Sequence, residues 1–187
     1  MSTREGPYVS RAGLKLAAAI DKFEVDVAGT VCCDFGSHTG GFVDCLPQRG
    51  AARVHAVEPG YGVLDYKLRQ DARVVVHERT NALKFDCPEP CDLITIDVGW
   101  TQQRLILPAA RRCLKPAGRV LTLIKPHYEA PKEWLTNGVL RADRLDNVLA
   151  TCRADITQLG WQVLAEIESP LRGHGGNVEQ VWLLAVE

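Results

Sequence analysis

The stretch CCDFGSHTGGF, residues 32–42, decides the predicted fold. It begins as an apolar strand, passes Asp34 and the glycines Gly36, Gly40 and Gly41, and leads into the helical pattern GFVDCLPQRG at residues 41–50. A glycine-rich turn between a strand and a helix is typical of open α/β sheets, which bind ligands at the carboxyl ends of their strands. The same glycines could also do no more than permit a tight turn.

The rest of the chain continues the alternation of strand and helix. Further strands are predicted at residues 52–60, 72–78, 91–99 and 119–126, and helices at 11–22, 102–114 and 143–159. Such alternation predicts an α/β protein with a mostly parallel, doubly wound sheet. The last two apolar runs, at 161–170 and 178–187, have no helix between them and predict an antiparallel pair at a sheet edge. We expect one domain over residues 1–187, with residues 1–29 as an N-terminal helical extension.

Composition and charge exclude some classes of protein. Hydrophobic residues make up 46% and charged residues 24% of the 187, as in ordinary globular proteins. The formal charge of −1 argues against a strongly basic nucleic-acid binder, although a local basic face could exist. Seven basic residues could form such a positive rim near the strand ends, or could simply be scattered and solvated: Arg4, Arg11, Lys67, Arg69, Arg79, Lys132 and Arg172.

The N-terminus and the cysteines indicate a cytoplasmic protein. Residues 1–23 carry charges throughout and lack the apolar core of a signal peptide, and no stretch is long and apolar enough to span a membrane. The seven cysteines have no disulfide-framework spacing, so free thiols are expected. Only CPEPC, residues 87–91, suggests a metal site, and no second cysteine or histidine pair lies near it in the sequence. We therefore expect no metal and no membrane partner.

Acidic and amide side chains at the strand ends predict the ligand of the glycine turn. Asp34 would repel a pyrophosphate, but it suits a cationic group such as the amino group of a methionyl moiety. Glu58, at the end of the second strand, could accept hydrogen bonds from ribose hydroxyls, and Asn81 could read an adenine edge. Together they describe an S-adenosylmethionine pocket, although Glu58 and Asn81 taken singly could be solvated loop residues. The predicted cofactor-binding residues are Asp34, Gly36, Ser37, Thr39, Gly40, Gly41, Phe42, Glu58, Pro59, Asn81 and Asp97.

Two lysines and two carboxylates are expected to meet near this pocket. Asp97 ends the fourth strand and Lys125 the fifth, while Lys15 lies in YVSRAGLKL and Glu179 opens the last strand. A neutral lysine amine can remove a hydroxyl proton if burial and a second ammonium lower its pKa. Each residue also has a structural alternative. Asp97 could cap the next helix, and Lys15 and Glu179 could be surface residues. Lys125 is harder to explain structurally, because an ammonium at the end of a core strand is costly without partners.

Six blocks of sequence resemble the FtsJ-like ribose 2′-O-methyltransferases, and most of all their TlyA-type (hemolysin A) rRNA methyltransferases. They are YVSRAGLKL, DFGSHTGGFVDCLPQRGA, HAVEPGYGVLDYKLRQDARVVVHERTN, LITIDVGW, LIKPHYEA and GNVEQVWLL. The resemblance implies a Rossmann-like methyltransferase fold, S-adenosylmethionine as cofactor, and a catalytic tetrad at Lys15, Asp97, Lys125 and Glu179. It also implies that Lys125 activates a ribose 2′-hydroxyl of rRNA.

The sequence departs from the TlyA type at three places. An S4-like RNA-binding domain normally precedes YVSR and is not found here, His38 replaces a small residue, and Gly99-Trp100 replaces Ser-Phe. Trp100 could stack on a target nucleobase or pack beneath the sheet edge. The expected partners are structured rRNA or a ribosomal subunit, with a separate RNA-binding protein as a further partner. The alternatives are a methyltransferase acting on a small molecule or a nucleobase, and a non-catalytic, ribosome-associated nucleoside-binding module.

Overall fold

The computed structural model describes residues 6–187, and its strands form one large sheet and one small hairpin. The strands of the large sheet are β1 Val31–Phe35, β2 Arg53–Glu58, β3 Val74–Glu78, β4 Cys91–Ile96, β5 Leu114–Ile124, β8 Trp161–Glu168 and β9 Gln180–Val186, and those of the hairpin are β6 Leu135–Thr136 and β7 Val139–Leu140. The α-helices are α1 Ala12–Phe23, α2 Gly41–Gln48, α3 Tyr66–Arg69, α4 Gln103–Cys113, α5 Pro126–Glu129 and α6 Leu145–Gln158.

The large sheet has the order β3-β2-β1-β4-β5-β9-β8 over the described residues. The first five strands in this order are parallel, whereas β9 runs antiparallel to both β5 and β8. This confirms the predicted mostly parallel sheet with an antiparallel C-terminal pair. The strand order reverses between β1 and β4, and a reversal of this kind opens a ligand crevice beyond the carboxyl ends of the two strands.

A hydrophobic core covers each face of this sheet. Helices α1 and α2 pack together over one face, where Leu16 and Ile20 belong to the same buried cluster as the alternate residues Leu121 and Leu123 of β5. Helices α4 and α6 cover the other face together with the buried Trp161 and Trp182. Residues 120–124 of β5 are buried on both faces of the sheet, which explains the largely apolar sequence VLTLI. The helix α1 that carries Lys15 is thereby anchored on the sheet.

Three features differ from the predicted element boundaries. Strand β5 begins at Leu114 and ends at Ile124, so Lys125 lies just beyond it. A short 3₁₀ turn at residues 142–144 delays the start of α6 to Leu145. The hairpin β6–β7 was not predicted, although Asn137-Gly138 carries its signal: both residues have positive φ, as a type I′ turn requires. No helix among residues 6–187 is long and apolar enough to cross a membrane.

Candidate active site

Lys125 and Asp97 form an ion pair at the carboxyl end of the parallel strands. The neighbouring strands β4 and β5 end just before these two residues, and Nζ of Lys125 lies 2.6 Å from Oδ1 of Asp97. The same ammonium donates a hydrogen bond to the backbone oxygen of Val98 at 3.1 Å. Both side chains are mostly buried, with exposed fractions of 15% and 20%. Pro126 at the first position of α5 turns the chain away, which leaves the side chain of Lys125 at the strand end.

Lys15 and Glu179 form a second, more deeply buried ion pair. Lys15 comes from α1, and Glu179 comes directly before β9. The antiparallel register pairs Ile124 with Gln180, so Lys125 and Glu179 are the next opposing positions beyond the last paired residues. The four predicted catalytic residues are therefore arranged as two ion pairs, with Asp97, Lys125 and Glu179 at strand ends and Lys15 on α1. A surface role for Lys15 or Glu179 is wrong, since both residues are buried.

The glycine turn after β1 lies against the backbone of the Asp97 loop. Gly36 has a φ of 86°, and a Cβ added there would lie 2.7 Å from the backbone oxygen of Asp97. Gly40 has a φ of 100°, and its Cβ would lie 2.2 Å from Cδ1 of Leu68. Only glycine meets both the backbone conformation and the available space at these positions. The turn is therefore held close to the residues of the first ion pair.

Asp34 is a buried carboxylate with one oxygen unsatisfied. Its Oδ1 accepts a hydrogen bond of 2.6 Å from the hydroxyl of Thr95, whereas Oδ2 has no partner among the described residues. Burial raises the pKa of Asp34 to about 7, and the Thr95 hydrogen bond opposes this shift. Since a buried unpaired carboxylate is costly, a cationic ligand group at Oδ2 would stabilise its charged form.

The side chains of Glu58 and Asn81 accept hydrogen bonds from the backbone, and both residues also line a cavity beside the glycine turn. The two carboxylate oxygens of Glu58 accept from the backbone N–H groups of Gly60 and His38, each at 2.8 Å. The side-chain oxygen of Asn81 accepts from the backbone of Leu83 at 3.0 Å. A carboxylate oxygen has a second acceptor position, so Glu58 can still receive hydroxyl donors.

Two adjoining cavities bring most of the predicted site residues together. One cavity of about 260 Å³ extends from the glycine turn to Lys125, and the other, of about 320 Å³, extends from Asp97 to Asn81. The first is lined by Asp34, Gly36, Ser37, Thr39, Gly41, Phe42, Asp97 and Lys125, and the second by Gly36, Glu58, Pro59, Asn81 and Asp97, among others. Gly40, Lys15 and Glu179 line neither cavity.

Several lining residues were missed from the sequence. Ser10, just before α1, and Ala12, its first residue, reach the first cavity, and His38 lines both cavities. The block YVSRAGLKL contains Ser10 and Ala12 as well as Lys15, so its proximity to the site was the available signal. Thr95, the partner of Asp34, had no signal because a threonine within a strand is ordinary.

Trp100 is exposed beside the second cavity. Its exposed fraction is 87%, its φ is 58°, and its ring centroid lies 4.8 Å from that of Tyr128. Packing beneath the sheet edge is therefore wrong for Trp100.

The predicted basic rim is partly neutralised, because Lys67, Arg69 and Arg172 each contact a carboxylate. Arg4 lies outside the described residues.

Comparison with known proteins matches residues 8–185 to the family model of the FtsJ-like methyltransferases. The chain is 41% identical over 185 residues to YqxC of Bacillus subtilis, which covers 92% of this chain but 63% of that protein. It is 40% identical over 187 residues to the 16S/23S rRNA (cytidine-2′-O)-methyltransferase TlyA of Mycobacterium tuberculosis, covering 96% and 69% of the two chains. The chain thus spans less than two thirds of the length of YqxC.

A solved structure from Streptococcus thermophilus, provisionally named a hemolysin, has the same fold. Its TM-score is 0.94 at 36% identity, and the match covers 99% of this chain and 69% of that one. The family model therefore covers nearly all of the described residues, and both sequence and structure agree with it. The chain belongs to the FtsJ-like methyltransferase family.

Proposed function

We propose that this protein transfers a methyl group from S-adenosylmethionine to a ribose 2′-hydroxyl of ribosomal RNA, with Lys125 activating the hydroxyl. The observation that carries the proposal is the Lys125–Asp97 ion pair, which lies in the wall of the cavity beside the glycine turn. Membership in the FtsJ-like methyltransferase family implies S-adenosylmethionine as the cofactor. We further propose that the chain forms a single methyltransferase domain.

The residues of the two cavities fit this cofactor. The unsatisfied Oδ2 of Asp34 would receive its amino group, and the turn from Gly36 to Gly41 would lie along its methionyl part. Glu58 would accept hydrogen bonds from its ribose hydroxyls, and Asn81, which lines the second cavity with Glu58 and Pro59, would contact the adenine. When bound, S-adenosylmethionine supplies an electrophilic methyl group on its sulfonium.

Lys125 is placed to accept the proton of the attacking hydroxyl. A neutral amine has two hydrogens and one lone pair. If the two hydrogens bind Oδ1 of Asp97 and the oxygen of Val98, the lone pair is directed away from both acceptors. A hydroxyl in the cavity could then donate to that lone pair, as general base catalysis requires. The buried Lys15–Glu179 pair would hold the neighbouring strand end and α1 in place.

The rRNA substrate is proposed from the relatives and from the exposed aromatic residue. TlyA is named as an rRNA (cytidine-2′-O)-methyltransferase, and the chain covers 69% of it. Trp100 offers an exposed ring next to the cofactor groove, and aromatic rings stack on unpaired RNA bases. We propose a structured ribosomal subunit as the acceptor, a separate RNA-binding protein as an auxiliary partner, and the cytoplasm as the location.

The two alternatives are less well supported by the site. A nucleoside-binding module has no use for two lysine–carboxylate pairs at the strand ends, because buried ion pairs are weak stabilisers of a fold. A small-molecule or nucleobase methyltransferase would use the same cofactor groove, so the acceptor must be tested directly.

The proposal is tested by locating the transferred methyl group. Purified protein is incubated with ribosomal subunits and S-adenosylmethionine carrying a labelled methyl group, and the rRNA is then hydrolysed in alkali. A ribose 2′-O-methyl blocks cleavage of the next phosphodiester bond, so the label should appear in dinucleotides and be absent with Lys125→Ala. Label in mononucleotides would indicate base methylation and contradict the proposal, as would label that is confined to small molecules.

A further inference from the structure

Cys87 and Cys91 bring two sulfur atoms together at the end of β4 opposite to Asp97. Their Sγ atoms lie 3.5 Å apart, and the intervening residues are Pro88, Glu89 and Pro90. Cys87 is partly exposed, whereas Cys91 is fully buried at the first position of β4. Among the described residues, no group of three or more His, Cys, Asp or Glu side chains could hold a metal ion. The short separation of the two Sγ atoms favours chemistry between the thiols themselves.

The loop that carries Cys87 is held against the body of the protein. The backbone N–H of Cys87 donates to Sγ of Cys113 at 3.3 Å, and Nε of Arg112 lies 2.9 Å from Asp86. The two prolines fix φ at their positions, which limits the conformations of the loop. A disulfide has an S–S length of about 2.05 Å, so the two sulfur atoms need to approach by about 1.5 Å. A side-chain rotation with a small loop movement can supply this distance.

His55 interacts electrostatically with Cys87. It is buried on β2, and its ring nitrogens contact His77 at 3.0 Å and Oε1 of Glu89 at 3.1 Å. The neighbouring Cys33 and Cys91 and, more weakly, His55 lower the pKa of Cys87, while Cys87 raises the pKa of His55. A partly exposed cysteine whose pKa is lowered is the form of cysteine that reacts with peroxides.

We propose that Cys87 and Cys91 form a reversible disulfide when the protein meets hydrogen peroxide, with Cys87 as the attacking thiolate. The sulfur of Cys87 forms a bond to one peroxide oxygen, the O–O bond breaks, and the hydroxide takes up a proton to give water. The resulting sulfenic acid is then attacked by the sulfur of Cys91, which forms the S–S bond and releases a second water. Two thiols are thus oxidised while one hydrogen peroxide is reduced to two waters.

Peptide mapping tests this proposal directly on the full chain. Trypsin releases residues 85–104 as one peptide, in which Cys87 and Cys91 are the only cysteines. After peroxide treatment, alkylation and digestion without reductant, this peptide should be two hydrogens lighter and carry no alkyl group. Cys152, a solitary buried thiol whose pKa is raised by burial, serves as the internal control. Its oxidation should be slower by at least about tenfold, because its thiolate fraction is smaller.

Two conservative variants distinguish the roles of the pair. Cys91→Ser should let a sulfenic acid persist on Cys87, where dimedone traps it, and Cys87→Ser should leave Cys91 reduced. Thiol reductant should restore the wild-type peptide to its original mass. The proposal is overturned if residues 85–104 keep two free thiols at peroxide doses that oxidise Cys152. It is equally overturned if Cys87 is recovered linked to Cys33, or if Cys87→Ser does not protect Cys91.

Discussion

Asp34 is expected to make the affinity for S-adenosylhomocysteine depend on pH. The carboxyl group has a pKa of about 7 in the ligand-free protein, and the proposed ammonium partner favours its ionised form. At about pH 6 some nine tenths of the molecules carry a proton that binding must release, and at about pH 8 about one tenth do. The affinity should therefore rise about tenfold from pH 6 to pH 8, which corresponds to about 1.4 kcal/mol.

Titration calorimetry measures this dependence and the released protons. Measured near pH 7 in buffers of different ionisation enthalpy, binding should release about half a proton. 5′-Methylthioadenosine lacks the amino-acid group, so its affinity should not change with the ionisation of Asp34. Asp34→Asn should bind S-adenosylhomocysteine more weakly at pH 8 and show little pH dependence. A flat wild-type profile, or the same profile for 5′-methylthioadenosine, would refute the assignment of Asp34.

Ionisation of Asp34 has the opposite effect on folding: ligand affinity rises with pH, whereas the stability of the ligand-free protein falls. The pKa of Asp34 is higher in the folded protein than the 3.8 of an ordinary aspartate. The stability that this shift contributes is full below about pH 4 and is lost as the pH rises through about 7. Asp34→Asn should therefore raise the melting temperature of the ligand-free protein at pH 8 while it weakens cofactor binding.

Three further predictions follow from the site. Gly40→Val should abolish S-adenosylhomocysteine binding, because the valine side chain would collide with Leu68. Gly29→Val is the control: Gly29 also has a positive φ, 72°, but has open space around it, so this variant should keep the binding. Equal binding by both variants would contradict the role of the turn. Lys15→Met should lower the free energy of unfolding in urea by about 3–5 kcal/mol, because Glu179 is left buried and unpaired. The double variant Lys15→Met/Glu179→Gln should recover part of this loss, and no recovery would show that the ion pair is not the cause. Affinity for a short unstructured RNA should be weak and fall steeply with salt, since several basic residues are already paired; tight binding that persists in high salt would count against this.

The sequence was sufficient to predict the strand order around the first ion pair. The βα alternation makes β4 and β5 neighbours, and both Asp97 and Lys125 follow the last residue of their strands, so their meeting follows from topology. The glycine pattern likewise located the turn that lies against Asp97. These features depend on local patterns and on the general rules of parallel sheets.

The second ion pair and the exposed tryptophan could not be predicted in the same way. The Lys15–Glu179 contact joins residues 164 positions apart, and it depends on where α1 packs and on β9 lying between β5 and β8. Trp100 is exposed and has a positive φ, which is uncommon for a non-glycine residue and has no local sequence signal. The backbone hydrogen bonds to Glu58 also depend on the turn conformation at His38.

Methyl transfer by Lys125 variants tests the central claim most directly. Transfer to ribosomal subunits and affinity for S-adenosylhomocysteine are measured on the same preparations of wild type, Lys125→Ala and Lys125→Arg. A general base contributes about 10²- to 10⁴-fold, so both variants should lose at least about a hundredfold in rate while cofactor affinity stays nearly unchanged. Arginine should fail because its guanidinium stays protonated and cannot accept the hydroxyl proton. Near-native transfer by Lys125→Arg would contradict the account and leave Lys125 with an electrostatic or positioning role.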